Sequence, residues 1–215
     1  TTRRVTSIRT FLMNGSFNEE QRDCLQEIIN VAMGLASDKL ARFLNTFVHL
    51  QVPSIALVGA AHLPAEIETR YQDIEAAMVS QGFFGNEGLR GEAIVLYQME
   101  NAHKISALLG YEPGDVSEIE MLTDISSVLT TTFLNGLAEQ LDNSMSYSAP
   151  RILSSRNRDI AEVLTNTSFH WEHALKVDIS YQLIDHSFNC DMVLLIPGEA
   201  VNHIKTILDR ILEEY

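Results

Sequence analysis

A chain of 215 residues with 46% apolar side chains can bury a substantial core, and no window of it approaches the roughly eighteen consecutive apolar residues that a membrane-spanning helix needs. Its formal net charge of −14 argues against nucleic acid and anionic membrane surfaces as main partners, and the acidic residues are spread along the chain as expected of a solubilising surface. Two cysteines, Cys24 and Cys190, with no CxxC pair, fit a reducing cytoplasm, and the run 1–16 carries Arg3, Arg4 and Arg9 without the apolar core of a signal peptide.

In chain order, residues 1–16 read as an N-terminal arm ending at the Asn14-Gly15 turn. Asn18 with Gln21 three residues on is a variant capping box, and Glu19 and Glu20 suit the positive end of a helix. The helix is expected to run to about Leu44. At about 100° per residue, Leu25, Ile28, Ile29, Ala32, Ala36, Leu40 and Phe43 form a broad apolar face. Cys24 falls on the same helix, where a small buried hydrophobe is the default. Pro53–Val58 reads as a strand and Pro64–Asp73 as a short helix. Ile74–Phe84 and Glu92–Met99 read as strands around the turn residues Gly85-Asn86-Glu87-Gly88, and Glu100–Leu109 as a helix stopped at Gly110.

The second half repeats this pattern. A shift of 97 residues places Leu25 on Leu122, Ile28 on Ile125, Leu40 on Leu137, Ala41 on Ala138, Leu44 on Leu141, Pro53 on Pro150 and Ile55 on Ile152. With two more residues inserted, Val95-Leu96-Tyr97 falls on Leu194-Leu195-Ile196, Glu100 on Glu199, Ile105 on Ile204 and Leu109 on Leu208. The predicted fold is α+β with a pseudo-twofold repeat. Each half is a long helix, a strand, a variable connection, a β-hairpin and a closing helix. Half a sheet cannot bury its own face, so the halves (17–112 and 115–215) are expected to share one mostly antiparallel sheet with the long helices packed on it, making 1–215 a single domain. Ser117 and Glu120 form the capping box of the second long helix.

Opposite the apolar face of the first long helix, Asp23, Glu27, Asn30 and Gly34 recur at i, i+4, i+7 and i+11. Exposed Glu and Asn on a helix are ordinarily no more than solvated residues. Here they belong to a longer pattern, Asp23-x3-Glu27-x2-Asn30-x22-Pro53, inside a two-half chain. With the opening Phe17-Asn18-Glu19-Glu20-Gln21-Arg22, this resembles the CheC/CheX/FliY family of chemotaxis phosphatases across nearly the whole chain.

The resemblance implies hydrolysis of the aspartyl phosphate on a CheY-like receiver domain. The family's roles then fall on Asn30, whose carboxamide both donates and accepts and can position water, and on Glu27, which would pair with a lysine near the receiver's phosphorylation site. Asp23 and Gly34 would serve docking. No cofactor of its own is implied, only Mg²⁺ on the receiver. In the second half the equivalent stripe is Glu120, Asp124, Ser127 and Thr131, so Asp124 and Ser127 mark a degenerate second site. The glycine-rich run that often follows the family's Asn is reduced to Gly34.

Nothing competes with that stripe for chemistry. His170 and His173 stand at i, i+3 without an HExxH pattern, so no metal site is expected. A GxSxG elbow, P-loop and GxGxxG are all missing from the sequence. The connection from Ser155 to Trp171 carries Arg156, Arg158, Phe169 and Trp171 with no assigned role. Two functions remain: a receiver phosphatase, and a non-catalytic regulatory module that binds a receiver or another chemotaxis protein through the same helix.

Overall fold

The computed structural model describes residues 17–50, 54–59, 62–71, 76–98, 117–154, 173–183 and 188–214. Helix α1 (Glu19–Leu44) starts where the capping box predicts. The Asn18 side chain accepts from the Gln21 amide at 2.7 Å, and the Gln21 carboxamide oxygen accepts from the Asn18 amide at 3.0 Å. Two otherwise orphaned helix donors are thereby satisfied. Asn45, in the left-handed region at φ 50°, ends the helix. Asn18→Ala is expected to cost about 1 kcal/mol and to lower Tm by about 2–4 °C in a thermal melt.

Strands β1 (Val48–Leu50) and β2 (Ser54–Gly59) lead to α2 (Leu63–Tyr71). The hairpin β3 (Ala76–Gly85) and β4 (Arg90–Gln98) turns through Asn86–Gly88. The second long helix, α3 (Glu118–Gln140), has its own reciprocal cap between Ser117 and Glu120. Strands β5 (Met145–Tyr147) and β6 (Arg151–Ser154) follow it. A second hairpin, β7 (His173–Leu183) and β8 (Phe188–Pro197), leads directly into α4 (Gly198–Glu213).

All eight described strands join one antiparallel sheet, in the order β1-β7-β8-β4-β3-β5, with β2 also on β7 and β6 also on β3. The hairpins meet at the centre, where Ile94 of β4 faces Val193 of β8. The short strands that follow α1 pair with the second hairpin, and those that follow α3 pair with the first.

Each face of the sheet carries a core. On one side lie Ala77, Val79, Phe83, Val95 and Tyr97 with the buried residues of α1, α3 and α4. On the other lie Met78, Ile94, Leu96, Val193 and Leu195 with Leu63, Ile67 and Tyr71 of α2. Central strands buried on both faces explain why β4 reads as a nearly continuous apolar run.

Three expectations need correction. Each long helix is followed by two short strands rather than one, because β1 and β5 find partners on the opposite hairpins. Phe43 is 46% exposed rather than on the apolar face, while Leu44 is buried. The buried row advances by four residues, through Ala32, Ala36, Leu40 and Leu44, and so drifts around the helix instead of running straight along it. Cys24 is half-buried rather than buried, and burial raises its thiol pKa. The expected helix Glu100–Leu109, Pro53 and the stretch from Ser155 to Trp171 lie outside the described residues.

Candidate functional site

The geometry of α1 decides which of its residues another molecule can meet. Its inner side carries Leu25, Ile28, Ile29, Ala32, Met33, Ala36, Leu40 and Leu44, all buried against α3, α4 and β1. The helix comes close to α3 at Gly136, where an added Cβ would stand 3.1 Å from Ala32 Cα and 3.3 Å from Leu35 Cδ1. At the other end, the Gln21 carboxamide donates to Asp209 of α4 at 2.6 Å. With the inner side pinned at both places, the opposite stripe must face outward. Asp23, Glu27, Asn30 and Gly34 are all exposed.

Among the described residues neither Asp23 nor Glu27 makes a side-chain hydrogen bond or ion pair, so both carboxylates are open to an incoming donor. The Asn30 carboxamide oxygen accepts from Gln26 Nε2 at 3.2 Å, one turn back. That contact favours the rotamer in which the Asn30 NH₂ group points away from Gln26, leaving its donors uncommitted. A Cβ on Gly34 would meet nothing within 4 Å. Val31 and Leu35, 37% and 41% exposed, flank the polar stripe and supply apolar area beside it.

The corresponding stripe of α3 is less open. The Glu120 carboxylate is occupied by the cap, accepting from Ser117 N at 3.2 Å and Ser117 Oγ at 3.1 Å. Asp124 is exposed, but Ser127 and Thr131 are half-buried, and Thr131 Oγ1 donates to the Ser127 carbonyl at 2.7 Å. A hydroxyl turned back onto its own helix positions nothing outside it.

Sequence reasoning missed one charged cluster, where α2 meets β7 and β8. Lys176, almost fully buried, is paired with Glu66 and lies 2.8 Å from Asp178 Oδ2. Arg70 lies 3.4 Å from Asp178 and 3.7 Å from Asp191. Tyr71 donates its hydroxyl to Asp191 at 2.5 Å, and burial, reinforced by Asp191, pushes its pKa far up, so it remains a donor. Every charge there has an internal partner, and the cluster fastens α2 to the sheet. Glu66 and Lys176 lie 110 residues apart, so no local spacing could have revealed it. Among the described residues no group of three or more His, Cys, Asp or Glu could hold a metal, and no helix is long and apolar enough to cross a membrane.

No protein-family model matches the sequence, and no curated protein sequence matches it. Solved structures do match. The chain is similar to FliY of Thermotoga maritima, with a TM-score of 0.62 at 17% identity over 90% of this chain and 98% of that one. It is similar to the FliM middle domain of H. pylori, with a TM-score of 0.59 at 14% identity over 89% of this chain and 99% of that one. It is also similar to CheX from a CheX–CheY complex of Borrelia burgdorferi with BeF3 and Mg²⁺, with a TM-score of 0.50 at 15% identity over 80% of this chain and 97% of that one. The chain shares its fold with FliY and CheX, as the Asp23–Pro53 pattern led us to expect, and equally with the FliM middle domain.

Proposed function

We propose that this chain is a member of the CheC/CheX/FliY family and hydrolyses the aspartyl phosphate of a CheY-like receiver domain. The observation that supports this best is the contrast between the two long helices: the stripe of α1 keeps its carboxylates unpaired and its carboxamide outward, bonded only to Gln26 of the same helix, while that of α3 is capped and half-covered.

An acyl phosphate is already reactive, so the catalyst has mainly to position water and leave the charge to the receiver's own Mg²⁺. The Asn30 amide enters the receiver's site from α1 and holds a water in line with the phosphorus. A bond forms from the water oxygen to phosphorus while the bond to the aspartyl oxygen breaks. The receiver recovers its carboxylate and inorganic phosphate leaves. Glu27, one turn away, accepts from a cationic side chain of the receiver and fixes the register of docking. Asp23 adds negative charge to the rim, and bare Gly34 lets the receiver's backbone come close. No cofactor of the chain's own is needed, and a cytoplasmic location belongs to the same proposal.

The neighbour CheX was solved in complex with CheY, which favours a receiver as the partner here. The FliM middle domain shares the fold about as closely as FliY, which favours the second reading, a module that docks a receiver or another chemotaxis protein without turnover. The decay of a phosphorylated receiver with and without the chain separates the two: the phosphatase shortens the half-life at substoichiometric concentration, whereas a docking module leaves it unchanged. Glu27→Gln is expected to raise the receiver concentration needed for half-maximal rate by about tenfold, the scale of one charge-assisted hydrogen bond, with little change in the limiting rate.

A further inference from the structure

Four-residue steps along the outer ridge of α1 lead from Asp23 through Glu27 to Val31 and Leu35, and Glu20 lies on the same side three residues before Asp23. The ridge is therefore acidic over its first turns and apolar over the next, and all five residues are exposed. Among the described residues none of the three carboxylates has a side-chain hydrogen bond or an ion pair. Like charges at these spacings repel, so the bare row costs stability that a cationic partner would recover.

The chain carries such a partner in its own arm. Residues 1–16, which lie outside the described residues, contain Arg3, Arg4 and Arg9 and no acidic residue, a charge of +3 in a chain of net −14. Val5 and Ile8 stand between those arginines. The arm leaves from the start of α1, because Phe17 is buried in the core with Lys205 of α4 over its ring at 5.5 Å. Its length suffices to turn back over the ridge. Arg9 precedes Ser16 by seven residues, a reach of up to about 23 Å, whereas Glu27 lies nine residues along the helix from Asn18, or about 14 Å. Val5 reaches up to about 36 Å, and Leu35 lies about 26 Å along the helix.

We propose that residues 1–16 fold back along α1, with Arg9 over Asp23 and Glu27 and with Ile8 and Val5 against Val31 and Leu35, and so cover the face that holds Asn30. Single exposed ion pairs are weak. A tethered partner is nevertheless present at an effective concentration on the order of millimolar, so a few weak pairs with an apolar contact keep it docked. Any protein that approaches the stripe must displace the arm. The docking stands on charge and reach, and its inhibitory consequence rests on the phosphatase reading.

The test is trypsin cleavage of the full chain after Arg9, followed by mass spectrometry at low ionic strength, since cleavage tracks the fraction of chains with the arm released. Asp23→Asn with Glu27→Gln should speed it about fivefold, the scale of losing two exposed ion pairs. Glu139→Gln with Asp142→Asn, the same charge change on exposed residues at the C-terminal end of α3, should leave it unchanged. At about 1 M salt, where the screening length falls to about 3 Å, the two double variants should converge. Equal rates for the two at low salt overturn the proposal. Protection of the wild type that falls on dilution also overturns it, because the arm would then lie on a second copy. Arg3→Ser, Arg4→Ser and Arg9→Ser together should lower the receiver concentration needed for half-maximal dephosphorylation several-fold at an unchanged limiting rate, and an unchanged concentration overturns the inhibitory role. Absence of dephosphorylation in every variant would fall on the phosphatase reading, and the cleavage rates would still decide the docking.

Discussion

Asn30→Ala is expected to slow receiver dephosphorylation by about 10²-fold or more while leaving the fold intact. The magnitude is that of removing one positioned polar group from a transition state whose catalysis is mostly positioning. The fold should survive because Asn30 is exposed, its only described side-chain bond is to Gln26, and alanine is the best helix former. The measurement is single-turnover decay of the phosphorylated receiver, with the melting temperature as a control. Asp124→Ala and Ser127→Ala should leave the rate nearly unchanged, since the α3 stripe is half-covered. Equal decay for the wild type and the Asn30 variant would assign the chain to the docking module instead.

Gly91→Ala is expected to be the most damaging single methyl group in the sheet. Gly91 pairs with Phe83 across the first hairpin. An added Cβ would stand 2.5 Å from the Leu195 carbonyl oxygen of β8 and closer still to the Phe83 ring. Neither neighbour can yield cheaply. The carbonyl belongs to the backbone of a central strand, and Phe83 is fully buried between the sheet and the helices. Overpacking of this kind costs typically 1–3 kcal/mol and the backbone clash places it at the upper end, so a loss of about 3 kcal/mol and a fall in Tm of about 6–12 °C are expected. A thermal melt within about 2 °C of wild type would show that the two hairpins pack less tightly than this geometry requires.

How much could be read beforehand depended on whether a feature was local. The starts of α1 and α3 were legible because Asn18 with Gln21, and Ser117 with Glu120, carry their partners within one turn. The outward placement of Asp23, Glu27, Asn30 and Gly34 followed from helical period alone. Strands β1 and β5 escaped notice because three residues are too few to show an alternation, and both exist through partners 60 or more residues away. Phe43 was misplaced because a wheel treats a helix as a straight cylinder on a flat support, whereas the buried row of α1 winds. Lys176, Asp178, Asp191, Glu66 and Arg70 converge from three elements and left no trace in spacing.

The crossing of short strands between the two hairpins ties α3 to α1. Because β5 and β6 close the edge of the first hairpin, and β7 receives β1 and β2, the half with the covered stripe cannot be discarded without unravelling the half with the open one. The stripe of α3 can therefore vary while the strands that follow it stay tied to the first hairpin.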